Sequence, residues 1–115
     1  MDLSVRTRTL DAHAVVEVRG EVDLHSAAEL RDRLAEVINA GQQSVLVDLT
    51  GLSFIDSTGL GALVAGRNQA SAAGATLRLV CDSGRMLKLL RITGLDAVFD
   101  VHPTLPEALH AAVLP

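Results

Sequence analysis

The sequence predicts an α/β fold: a mixed sheet that opens with an antiparallel hairpin, continues with mostly parallel strands and is packed with about four helices. Three observations carry this. The apolar residues switch along the chain between a period of two and a period near 3.6. Glycines and capping residues mark each switch. After the first hairpin, each strand candidate is separated from the next by a helix, which calls for parallel pairing through right-handed crossovers. The 115 residues are the size of one domain, expected to run over residues 1–115.

Leu3 and Val5, then Val16 and Val18 alternating with Val15, Glu17 and Arg19, predict two strands joined by a loop at Asp11-Ala12-His13. Ser26-Ala-Ala-Glu29 has the spacing of a capping box, in which hydroxyl and carboxylate each satisfy a free amide. Leu30, Leu34, Val37 and Ile38 then form one helical stripe, closed by Gly41. Ser44–Leu49 is nearly all apolar, as a strand buried on both faces should be. A short connection is expected after it, then a helix from about Ser57 to Gly74. Thr76–Cys81 predicts a strand with a small buried cysteine at its end. Met86, Leu87, Leu90 and Ile92 predict a third helix, capped by Asp82 or Ser83 and ended by Gly94. Val98–Val101 predicts a short strand. Thr104-x-x-Glu107, with Pro106 in the first turn, starts a last helix reaching about Val113.

Composition narrows the function. With 49% hydrophobic and 21% charged residues the chain can build a core, so disorder is excluded. Aromatics are 2%, Phe54 and Phe99 alone, which argues against base stacking or an aromatic cage. A net charge of −4 provides no footprint for direct nucleic-acid binding. One cysteine permits neither an internal disulfide nor a thiolate-clustered zinc site. The charge-free runs Ser57–Gly66 and Asn68–Leu77 hold ten residues each, short of the ~18 a membrane span needs. With no apolar signal region at the N-terminus either, a cytoplasmic protein that does not engage a membrane is expected.

Residues 48–61 read Asp-Leu-Thr-Gly-Leu-Ser-Phe-Ile-Asp-Ser-Thr-Gly-Leu-Gly. A helix starting at Asp56-Ser57-Thr58-Gly59, beyond the carboxyl end of a parallel strand, lies where such sheets meet ligands and partners. Free amides and the helix dipole favour an anion there, so Ser57 could carry a phosphate without unfolding the chain. The simpler account is that Asp56 or Ser57 is an N-cap. Against it stand Gly59, Gly61 and Gly66, each costing about 1 kcal/mol relative to alanine inside a helix. Bare backbone suits close approach, to the sheet behind or to a partner in front.

The segment from Phe54 to Gly61 closely resembles the phosphorylation motif of the anti-sigma factor antagonists, single-domain proteins of the STAS family. Gly20-Glu21-Val22-Asp23 and Ile92-Thr93-Gly94-Leu95 agree with it, so the resemblance covers essentially the whole chain. It implies a STAS-like sheet and a partner-switching function without an enzymatic activity. In such a switch the unphosphorylated antagonist binds an anti-sigma factor with serine kinase activity and frees a sigma factor. Phosphorylation releases the antagonist, and a phosphoserine phosphatase resets it. The resemblance makes Ser57 the acceptor, places Thr58 where serine or threonine follows it, and sets Asp23 on the kinase-facing surface. The implied partner surface comprises Asp23, Asp56, Ser57, Thr58, Gly59 and Gly61.

Catalytic readings find little support. Gly59-Leu60-Gly61 lacks the third glycine of a dinucleotide fingerprint, Lys88 is the only lysine, and no phosphate loop is present. Ser57 lies outside any Gly-x-Ser-x-Gly elbow. His13, His25, His102 and His110 lack metal-ligand spacing and are expected as plain surface residues; a place bordering the functional face, beside Asp23 and Ser26, is the lesser alternative for His25. Asp48 and Asp56 are expected as a strand-end and a capping residue rather than an acid/base pair. Arg85, Lys88 and Arg91 form a basic stripe, expected to be solvated or to border an acidic partner. No cofactor and no metal are implied. Two alternatives remain: a nucleotide-binding STAS domain, or a signalling or scaffold module with a non-sigma partner. The second kind usually carries sensory or membrane segments, for which 115 residues leave no room.

Overall fold

In a computed structural model, residues 2–113 are described. β1 (Leu3–Leu10) and β2 (His13–Val22) form an antiparallel hairpin whose register runs from Leu3 opposite Gly20 to Leu10 opposite His13. The tight turn is made by Asp11 and Ala12, with Asp11 at φ 53°. Next along the chain come α1 (Ala27–Asn39), β3 (Ser44–Ile55), α2 (Ser57–Ala72), β4 (Thr76–Val80), α3 (Gly84–Ile92), a 3-10 turn at Leu95–Ala97, β5 (Asp100–His102) and α4 (Leu105–Val113). The sheet order is β1-β2-β3-β4-β5, parallel from β2 onward.

The sheet is covered on both faces, as the apolar run in β3 requires. Val45, Val47 and Leu49 point into the main core with Leu30 and Leu34 of α1 and Leu60 and Leu63 of α2. Leu46 points the other way and packs with Val15, Val80 and Ala108 of α4. Gly41 and Gly94 close α1 and α3 at φ 91° and 76°, in the left-handed region glycine enters cheaply. Cys81 is buried, and burial raises its thiol pKa. Ser83 rather than Asp82 caps α3, its side chain accepting from the Met86 amide.

Four expectations need correction. First, β3 does not end at Leu49 but continues to Ile55, paired with β2 alone after Asp48 meets Val80. Two register shifts, between Glu17/Arg19 and Gly20/Glu21, place an extra β3 residue each time. Each bulge flips the facing of the residues beyond it, so Leu49, Leu52 and Ile55 all pack toward the main core at a spacing of three.

Second, Ser26 makes no side-chain cap to α1; its hydroxyl is taken up by Asp23. Third, the last strand starts at Asp100, because the chain first makes the 3-10 turn that drives Phe99 into the core. Fourth, not every histidine is superficial. His13 is buried at the start of β2, its Nδ1 2.8 Å from Ser44 Oγ, and His102 Nε2 lies 3.0 Å from Asp100 Oδ2. His25 and His110 are exposed, as expected.

Candidate functional site

The carboxyl ends of β2 and β3 lie side by side because Val22 pairs with Ile55, and the Asp56 amide donates to Val22 O at 3.2 Å. That register brings Asp23 and Asp56, 33 positions apart in sequence, to one edge of the sheet. Each carboxylate folds back on its own chain. Asp56 is extended (φ −104°, ψ −173°) and accepts from the amides of Thr58 at 3.0 Å and Gly59 at 3.1 Å. It also accepts from the Thr58 hydroxyl. Asp56 is therefore the N-cap, and Ser57 is the first helical residue.

The division of labour among these side chains is sharp. The Thr58 hydroxyl is held by Asp56 and is half-buried, whereas Ser57 is exposed. Asp23 accepts from the amides of His25 at 2.9 Å and Ser26 at 3.1 Å and from the Ser26 hydroxyl at 3.1 Å. This tight turn takes the place of the capping box: the Ser26 amide and hydroxyl donate to Asp23.

The Ser26 hydroxyl foremost, with the two amides, holds Asp23 below its ordinary value of 3.8. For Asp56 the Thr58 hydroxyl leads, followed by the Gly59 amide; burial opposes, and the Thr58 and Leu24 amides add to the depression. Both groups are thus anionic at neutral pH, at the positive end of α2 or in the turn beside it. Neither is poised as a base, since each is stabilised in its charged form. Asp48 is engaged separately, accepting from the Thr50 amide and hydroxyl.

The glycines of α2 resolve into two kinds. A Cβ on Gly59 would stand 2.6 Å from Ile55 Cγ1 and 2.8 Å from Val22 Cγ1, and one on Gly66 would stand 2.8 Å from Leu34 Cδ1. Those two allow the helix to sit close on the core. Gly61 has nothing within 4 Å of its virtual Cβ and is exposed. It faces outward together with Ser57.

Two apolar residues at this edge were missed by sequence reasoning. Leu24 is 69% exposed in the turn after Asp23, and Phe54 is 47% exposed on the β3 extension. The three-residue spacing of Leu49, Leu52 and Ile55 departs from strand alternation, so no period-two signal marked the strand past Leu49. Among the described residues no group of three or more His, Cys, Asp or Glu could hold a metal ion. No helix among them is long and apolar enough to cross a membrane.

A sheet of this order, with the hairpin first and an Asp-Ser-Thr-Gly helix start at the edge of β3, defines a class. Residues 4–108 match the family model described as STAS domain, and the chain belongs to that family. Within it, the chain is 32% identical over 101 residues to the anti-sigma-B factor antagonist of Bacillus subtilis, spanning 88% of this chain and 92% of that protein. The crystal structure of an anti-sigma factor antagonist from Mycobacterium paratuberculosis superimposes with a TM-score of 0.83 at 27% identity, covering 96% of this chain and 93% of that one. Bacillus SpoIIAA in its phosphorylated form shares the fold at a TM-score of 0.72 and 22% identity, covering 95% and 99%.

Proposed function

We propose that this protein is an anti-sigma factor antagonist switched by phosphorylation of Ser57. Unphosphorylated, it binds an anti-sigma factor that is also a serine kinase and so releases a sigma factor; a phosphoserine phosphatase restores it. The single observation that carries the choice of acceptor is the hydroxyl arrangement at the start of α2. Thr58 donates its hydroxyl to Asp56, and Asp56 does the capping, so the exposed Ser57 hydroxyl is surplus to the fold. The relatives named as antagonists support the partner, and the phosphorylated SpoIIAA form supports a fold compatible with the modification.

A phosphate adds about −1.5 to −2 charges and three acceptor oxygens. The helix start tolerates it, so the domain stays folded. In a docked interface it lies next to Asp56 and the Asp23 turn, both held anionic, and has to be desolvated among like charges. Shifting a bound population from 99:1 to 1:99 takes ~5.5 kcal/mol of differential affinity. Repulsion combined with lost packing across the exposed Leu24 and Gly61 surface can reach that size. Asp23, Asp56, Ser57, Thr58, Gly59 and Gly61 accordingly form or support the partner surface.

The experiment is phosphopeptide mapping after incubation with the cognate kinase and ATP, alongside binding by Ser57→Ala and Ser57→Asp. Ser57→Ala should fold, bind the kinase and accept no phosphate, while Ser57→Asp should lose binding by at least about tenfold, more than ~1.4 kcal/mol. Undiminished labelling of Ser57→Ala would move the acceptor elsewhere and overturn the reading.

A further inference from the structure

Beyond Asp48, β3 keeps β2 on one side and, among the described residues, has no strand on the other, since β4 ends at Val80. The backbone edge it leaves open is a template for another strand. α3, which comes after β4 in the chain, stands across from that edge, and between them lies a groove of about 370 Å³. Leu49, Leu52 and Phe54 line one side and Met86, Leu89 and Ile92 the other. Phe54 and Ile92 are exposed, Ile92 by 72%.

Charge distinguishes this groove from a merely unfilled one. Arg85 and Lys88 also line it, both are exposed, and neither is ion-paired with a described carboxylate. Arg85 moreover occupies the first turn of α3, which holds no acidic residue. A cation there opposes the helix dipole at a cost of about 0.3–1 kcal/mol. Two uncompensated cations beside an apolar groove in a chain of net charge −4 call for an anionic occupant.

We infer that this groove binds an extended peptide segment of a partner protein, alternating apolar and acidic side chains, which adds as a strand to the open edge of β3. Main-chain hydrogen bonds to residues 52–54, beyond the Thr50 amide that Asp48 already holds, supply affinity. The apolar side chains enter between Phe54 and Ile92, and the carboxylates meet Arg85 and Lys88. An acyl chain would fill the groove yet leave the strand edge unpaired, which is why the edge favours a peptide. The site does not depend on Ser57 and can be tested without a kinase.

The test is titration of the isotopically labelled full chain with seven-residue peptides of alternating valine and glutamate, monitored by amide chemical shifts. Saturable shifts confined to residues 50–54 and 84–92 are expected. A valine-lysine peptide should bind at least about tenfold more weakly, and so should the glutamate peptide to R85E/K88E protein. Both substituted positions are exposed, and an unchanged thermal melt checks that the variant is folded. A glutamate peptide N-methylated on every backbone amide, with no main-chain donor left on either edge, should lose binding. Equal affinity for the glutamate and lysine peptides would overturn the inference, as would indifference to N-methylation. Saturable binding of decanoate without any response to the peptides would assign the groove to a lipid-like ligand instead.

Discussion

β3 contains two regions built on different principles. From Ser44 to Asp48 it is flanked by β2 and β4, covered on both faces, and Val45, Leu46 and Val47 are completely buried. From Leu49 to Ile55 it has one neighbouring strand, two bulges and an exposed phenylalanine. The first half holds the domain together. The second carries the chain out to the edge where Asp56, Ser57 and the Asp23 turn meet. One strand can serve both ends because each bulge resets which residues face the core. The outer half therefore keeps Leu52 and Ile55 inside while freeing Phe54 for the surface. Stability and presentation are thus separated along a single strand, and substitutions should reveal the boundary between them.

The largest effect is expected in the inner half. Leu46 is fully buried between Val15, Val80 and Ala108. Leu46→Ala should cost about 2–5 kcal/mol, read as a shifted midpoint in urea denaturation with the slope unchanged. A loss below about 1 kcal/mol would mean that α4 collapses onto the vacancy, and that the second face of the sheet is less tightly built than its burial indicates.

The next effect contrasts two glycines two positions apart in α2. Gly59→Ala forces a methyl group against Ile55 and Val22 and should destabilise by about 1–3 kcal/mol. Gly61→Ala meets nothing and should stabilise the helix by up to about 1 kcal/mol. If Gly61 is kept bare for a partner, the same alanine variant should bind the anti-sigma factor more weakly despite its higher melting temperature. Unaltered binding would remove Gly61 from the partner surface.

The carboxylates offer a third test, read by pH. Asp56 and Asp23 both titrate below the ordinary 3.8 in the folded chain. A depressed folded value means that their contribution to stability is fully present above the unfolded value. It is lost as pH falls through the lower folded values. The amide shifts of Thr58 and Gly59 should therefore track a titration with a midpoint below 3.8, absent in Asp56→Asn. A midpoint at or above 3.8 would show that Asp56 is not the cap.

These contrasts also explain what was legible in the sequence. The inner half of β3 and the apolar stripe of α1 were readable because one unbroken period serves each. The outer half was not, since Thr50-Gly51-Leu52-Ser53-Phe54 has the composition of a turn and the bulges destroy alternation. The Asp-Ser-Thr-Gly start was visible as a site. Which residue capped it was not, because aspartate and serine both cap and only the hydrogen bonds of Asp56 separate them. Gly59 and Gly61 are alike in sequence, and only the positions of Ile55 and Val22 distinguish them. His13 failed for the same reason: the Ser44 hydroxyl that its buried ring meets lies thirty-one positions away.

The smallest expected effect lies at the far end of the strand, and it is the sharpest test of the division. Phe54 is a large apolar side chain, yet it is 47% exposed and outside the buried core. Phe54→Ser should change stability by no more than about 0.5 kcal/mol, although the same exchange at a buried phenylalanine costs several. Phe99, 5% exposed, supplies that control within the same chain. Phe99→Ser should unfold at markedly lower denaturant concentration, while Phe54→Ser stays on the parent curve. If the two variants melted together, the outer half of β3 would be core after all. Its exposed phenylalanine could then not be regarded as held in reserve for a partner.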